Sequence, residues 1–366
     1  MAVASLGIYV LDVSQTIFKY HFNLVAGRTA ENWSYYSDAD TFKNSQHQRR
    51  IACFQIPYPY NDSIEHEIDK IYDHADAIIV FCTELHPRTI NFIRRFDRPK
   101  MRWFICGALN PGLVNGRTYK FLDWFTTTIH FYKNIRPLTL YNLDPYSVKP
   151  LMFDALLGRK KPHRDQAYNF IKQTNLDTRG IVTYVNDTQI NFKSSSKDNW
   201  IWPKEGLTEI DNVEWTVDRV RYYGHRMSLS QVIPTNIYNQ TAYSLVCETN
   251  FENDYVFFTE KTVKPILARR LFILLSHRYA LAELRNLGFK TFAGIIDESY
   301  DEIEPAIHRH QAALEQLEWL CNQDQADILN QCREIVDHNF NLMYSNDWYW
   351  NYTATPLSNI LLELNQ

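Results

Sequence analysis

Glycine is the scarce residue of this chain, with 11 among 366, about 3% against a usual ~7%. No Gly-x-Gly-x-x-Gly and no Gly-x4-Gly-Lys-Ser/Thr string occurs. Those cradles need glycine so that backbone N–H groups can approach phosphate closely, so their absence excludes a standard dinucleotide fingerprint or P-loop and leaves phosphate to side chains. Cys-x-x-Cys pairs are also missing. The 6 cysteines sit mostly in apolar runs such as Ile78 to Cys82, the pattern of reduced core thiols in a cytoplasmic protein rather than of zinc ligands or disulfides. Met1 to Gly7 lacks a basic signal-peptide n-region, and no apolar run approaches the ~20 residues of a membrane span. A net charge of -4 supplies no global field for nucleic acid or anionic membrane.

What is present is a globular composition, 45% hydrophobic and 14% aromatic, long enough for about two domains. Short apolar strands near Leu6 to Val13, Ile51 to Ile56, Ala77 to Cys82 and Met101 to Cys106 alternate with helical patterns at Ile64 to His74 and Pro87 to Phe96, a βαβ rhythm. The turn-rich stretch Asn142 to Pro150 reads as an interdomain linker. The rhythm restarts at Leu151 to Leu157, continues with a helix from His163 and a strand Gly180 to Val185, and resumes after a polar segment at Tyr243 to Cys247 and Leu271 to Leu275. Long helical patterns follow Glu302. The expected division is 1–145, 151–345, and a segment 346–366 packing back across both domains. Two such α/β domains would face one another across a cleft at the carboxyl ends of their sheets.

Two constellations carry chemistry. Leu156 to Asp165 follows a strand and opens a helix at Pro162, so Arg159, Lys160, Lys161 and Arg164 gather where free helix N–H groups attract anions. A solvated basic turn is the plain alternative. Second, the strand Tyr243 to Cys247 delivers Glu248 and Asn250 to its carboxyl end, and after a loop Thr259, Glu260 and Lys261 start a helix. A carboxylate there can accept from a ribose diol and a lysine can meet phosphates, although Glu260 alone would suit any helix start.

From 151 to about 310 the chain resembles the α-1,3-fucosyltransferases. The resemblance rests on Pro162-His163-Arg164, on Cys247-Glu248-Thr249-Asn250 followed by a loop aromatic (Tyr255 or Phe257) and Thr259-Glu260-Lys261, and on the strand Leu271 to Ser276. The sequence departs from the family pattern at Thr249, at Phe257 where a tyrosine is usual, and at Ser276 where the strand would end in glycine. Viral and phage proteins with similar Thr-Glu-Lys-Thr and Asp-Glu-Ser-Tyr-Asp strings are a further likeness. The resemblance implies a GT-B fold, two Rossmann-like domains, and a glycosyltransferase using a nucleoside-diphosphate sugar without a cofactor. Arg164 and Lys261, with Arg159, would hold the diphosphate, Glu260 the ribose, Glu248 or Asn250 the sugar or nucleoside, and Tyr255 would line the donor site.

An inverting transfer also needs a base. Glu84, just past the strand ending at Cys82, is the first candidate and Asp12 the second; either also fits a cap. His163 reads as a helix-start residue. The sole Asp-x-Asp triplet, Asp38-Ala39-Asp40, reads as part of a polar loop, not following a strand, so no metal site is expected. The acceptor is either a glycan hydroxyl or a hydroxymethylated base in viral DNA. Arg94 to Arg102 and Arg219 to Arg226 interleave cations with aromatics as a nucleic-acid surface would, or as solvated faces do. A non-catalytic binding module is the rival reading.

Overall fold

A computed structural model describes residues 3–10, 30–56, 63–82, 87–107, 117–135, 137–185, 200–201, 214–215, 220–222, 225–227, 232–252 and 255–364. The chain is mixed α/β and forms two compact units, 1–126 with 347–366, and 127–346. No helix among the described residues is long and apolar enough to cross a membrane. All six cysteines are buried and none is joined in a disulfide.

In the first unit, strands β1 (Val3–Val10), β2 (Ala30–Tyr36), β3 (Arg49–Gln55), β4 (Ala77–Cys82), β5 (Met101–Ile105) and β6 (Arg117–Lys120) form one sheet in the order β2-β1-β3-β4-β5-β6, every pairing parallel. Parallel neighbours need crossovers, and helices on both faces bury the central strands. Hence every residue of β4, an unbroken apolar run, is buried. Helix Ser63–Ile71 buries Ile64, Ile68 and Ile71, one stripe at helical spacing. Strand β2, a mixture of polar and aromatic residues, is not among the strands expected from the sequence; it pairs along the edge of β1, where one side of the ladder stays open and the apolar signal weakens.

In the second unit, β7 (Leu151–Arg159), β8 (Gly180–Val185), β9 (Trp200–Ile201), β13 (Thr241–Cys247) and β14 (Phe272–Leu275) form the order β14-β13-β7-β8-β9, and β10 (Glu214–Trp215), β11 (Val220–Tyr222) and β12 (His225–Met227) form a separate ribbon. All pairings of the main sheet are parallel except β8 with β9. The chain leaves β7 toward β8 and later returns on its other side to build β13 and β14. Strand order therefore reverses between β7 and β13, the position where open α/β sheets leave a crevice at their carboxyl ends.

A buried ion pair locks the opposite end of this sheet. Arg270 donates to Asp154 at 2.7 Å, to the Thr241 carbonyl at 2.6 Å and to the Tyr243 carbonyl at 2.8 Å, while Ser244 donates to Asp154 at 2.9 Å. With so many partners the guanidinium leaves few donors unsatisfied, which is the condition for tolerating a buried charge.

The unit boundaries differ from those read in the sequence. Asn142 to Pro150 belongs to the second unit because its polar groups are spent there: Asp144 N–H donates to Asn239 Oδ1 at 3.1 Å, the Asn239 amide returns a bond to the Asn142 carbonyl at 2.9 Å, and Lys149 N–H donates to Gln325. Residues 347–366 join the first unit, where Trp348 stands edge-on to Phe125 at 5.2 Å and Glu363 pairs with Arg117.

Candidate anion site at the strand reversal of the second unit

Helix Pro162–Gln173 follows β7 and helix Glu260–Leu267 follows β13, so both present N-termini beside the strand reversal. Proline at the first helical position suits the former, since its missing N–H would have no helical partner. Thr259 caps the latter, its hydroxyl accepting from Lys261 N–H at 3.3 Å.

The helix starts are tied together through the end of β13. Lys161 Nζ donates to the Thr249 carbonyl at 2.9 Å, and Lys261 Nζ reaches the Thr249 hydroxyl at 3.3 Å. His163 Nε2 donates to the Glu248 carbonyl at 2.8 Å, which places the imidazole proton on that nitrogen. Two ammonium groups thus converge on one residue. Lys261 also meets Glu260 at 2.8 Å.

Arg164 is 5% exposed. Its guanidinium lies against Gly158, whose φ is +64° and where an added Cβ would stand 3.5 Å from Nη1. The β7–β8 register shifts between Leu156 and Arg159, so this glycine serves a bulge at the carboxyl end of β7. Arg159 closes β7 opposite Val185. The Cys247 thiol, pushed up to about 12 by burial, feels opposing pulls from both Arg164 and Lys261, which places both cations around the end of β13.

The carboxylates act differently from the expectation. Glu248 is fully buried and accepts from Thr259 N–H at 2.9 Å, the Thr259 hydroxyl at 2.7 Å, the Thr262 hydroxyl at 2.6 Å and Thr249 N–H at 3.2 Å. Four donors fill its acceptor capacity, so Glu248 braces the strand end against the helix start instead of presenting oxygens to a sugar. Glu260 is buried beneath Lys261; burial pushes its carboxyl up, but the Lys261 and Lys264 ammoniums outweigh that and hold it below its usual range. Asn250 is half-buried, while Tyr255 and Phe257 are buried in the loop.

His163 is more than a helix-start residue. It is 1% exposed, and burial first, then Arg164 and His310, holds it well below its usual titration range. His310 donates through Nε2 to the Ser276 carbonyl at 3.0 Å, so neutral imidazoles tie down the ends of both β13 and β14. Sequence reasoning missed His310 and Arg309; they lie far along the chain, and only the α/β rhythm hinted that a later helix would pass the strand ends. The Asp297 to Asp301 string is structural: Asp301 accepts from Leu281 and Ala282 N–H at 3.0 and 3.1 Å and so caps helix Ala280–Asn286.

In the first unit, Asp12 and Glu84 lie outside the described residues. Asp38-Ala39-Asp40 does follow a strand, β2. Asp38 caps helix Ala39–Lys43 by accepting from Thr41 N–H at 2.8 Å, and Asp40 pairs with Lys43 at 3.1 Å. A carboxyl the sequence reading passed over is Asp123, which opens helix Asp123–His130 just beyond β6; burial pushes it up to about 6. An acid directly after an edge strand was the available signal. The basic stretch from Arg94 spends its cations locally: Arg95 pairs with Glu65, Arg98 with Asp69 at 2.6 Å, and Lys100 with the Tyr72 carbonyl at 3.1 Å. The second stretch falls on β11 and β12, with Arg219, Tyr223 and Gly224 outside the described residues.

No protein-family model matches the chain, and no curated protein matches it.

Proposed function

We propose that this protein is a glycosyltransferase of GT-B type that takes its donor, a nucleoside-diphosphate sugar, on the second unit. One observation carries the reading: Lys161 and Lys261 converge on Thr249 at the strand reversal. Glu260 already pairs with Lys261, but Lys161 and Arg164 add further positive charge around the same strand end, which favours an anion there, and two helix N-termini add to the same field. Transfer of a sugar leaves negative charge on the departing diphosphate, and fixed cations there stabilise the transition state. Lys161, Lys261 and Arg164 supply that charge as side chains, so the transfer is proposed to need no metal ion.

A glycan hydroxyl is favoured over a DNA base as acceptor, because Arg95 and Arg98 are already engaged by Glu65 and Asp69.

The test is release of nucleoside diphosphate from a panel of UDP- and GDP-sugars, with thermal shift alongside. At least one donor should stabilise the protein by mass action and be turned over with EDTA present, and Arg164→Ala should abolish turnover. No stabilisation and no release with any donor contradicts the reading; stabilisation without release would leave a binding module.

A further inference from the structure

We infer that Phe251 is a stacking platform for the nucleobase of the bound ligand, so that the Lys161–Lys261 site takes a nucleoside diphosphate and not a bare or lipid-borne phosphate. The inference rests on the reading of that site as an anion site. It comes from how much structure is committed to one half-buried ring.

Phe251 lies two residues past Thr249, the residue on which both lysines converge. Its ring is backed by the His163 imidazole, with centroids 4.2 Å apart and planes 31° apart, and His310 stands 5.9 Å from both rings. His163 is itself fixed by its bond to the Glu248 carbonyl, and His310 by its bond to the Ser276 carbonyl.

The backbone is fixed as firmly. Arg309, 3% exposed, donates to the Phe251 carbonyl at 2.7 Å, the Ser276 carbonyl at 3.0 Å, and the Ile303 and Glu304 carbonyls at 2.6 and 3.0 Å. A ring recruited only to fill a core would be buried. This one keeps part of its surface outward between half-buried Asn250 and exposed Glu252, while a buried arginine and two neutral histidines hold it in place. A rigid ring loses little entropy when a flat partner stacks on it, and stacking is indifferent to which base arrives.

Calorimetric titration of the full chain with inorganic pyrophosphate, UDP, GDP and ADP tests this in wild type, Phe251→Leu and Phe251→Trp. Wild type should bind at least one nucleoside diphosphate about tenfold or more tighter than pyrophosphate. Phe251→Leu should lose most of that preference while pyrophosphate affinity stays within about twofold, and Phe251→Trp should retain it, in line with the usual worth of base–aromatic stacking. Equal loss for pyrophosphate and nucleotide in Phe251→Leu, or no loss of preference, overturns the platform while leaving the anion site standing. Binding of neither ligand to wild type overturns the anion site itself. If Phe251→Leu does not fold, saturation-transfer NMR on wild type decides: base protons should receive more saturation than ribose protons, and the reverse order overturns the proposal.

Discussion

The Glu248 carboxylate accepts the Thr259 backbone N–H at 2.9 Å and the Thr259 hydroxyl at 2.7 Å, so one buried acid joins the end of β13 to the start of the helix carrying Lys261. Glu248→Gln keeps the shape but turns one acceptor oxygen into a donor facing donors. We expect a loss of about 1–3 kcal/mol in stability, the usual cost of a buried group left unsatisfied, read from urea unfolding. An unchanged midpoint would mean the brace is dispensable.

Arg270 and Asp154 make the analogous tie at the other end of the sheet. Burial pushes the Asp154 carboxyl up in spite of the opposing pull of Arg270. Arg270→Met strands that carboxyl, and about 3–5 kcal/mol should be lost. Asp154→Leu combined with Arg270→Met should recover part of it, since no charge then remains buried; a double variant as unstable as the sum of the single ones would argue against the ion pair as the cause.

His277 and His310 are each pushed down to about 4, chiefly by burial. Their folded values lie below the unfolded value of 6.5, so between about 4 and 6.5 the unfolded chain binds more protons. Stability is therefore fully present above that window and falls as pH drops through it. Melting temperature measured from pH 7.5 to 4.5 should decline, and His310→Gln should flatten the decline. A pH-independent melting temperature would contradict buried neutral imidazoles.

Much of this frame is legible in the sequence. Strand β4 is a continuous apolar run, β13 is a mostly apolar one interrupted by Ser244, and Thr259-Glu260-Lys261 announces a capped helix start. Edge strand β2 is not legible because it is paired on one side only and its aromatic residues are interspersed with Glu31, Asn32 and Ser34. Pairings such as Lys161 with Thr249 or Arg270 with Asp154 join residues 88 and 116 positions apart, and no local pattern encodes them. Glu248 shows the limit clearly: sequence reveals a carboxylate at a strand end, but only the fold shows that three threonines have already taken its oxygens.

The convergence of Lys161 and Lys261 on Thr249 is the centre of the account, and its most direct test is the dissociation constant of inorganic pyrophosphate for wild type, Lys161→Met, Lys261→Met and the double variant. Charge-assisted bonds of this kind are worth about 1.5–3 kcal/mol. Each single substitution should weaken binding about tenfold or more, and the double variant should bind still more weakly. Wild-type affinity retained by the double variant, or no binding to wild type, would contradict the account.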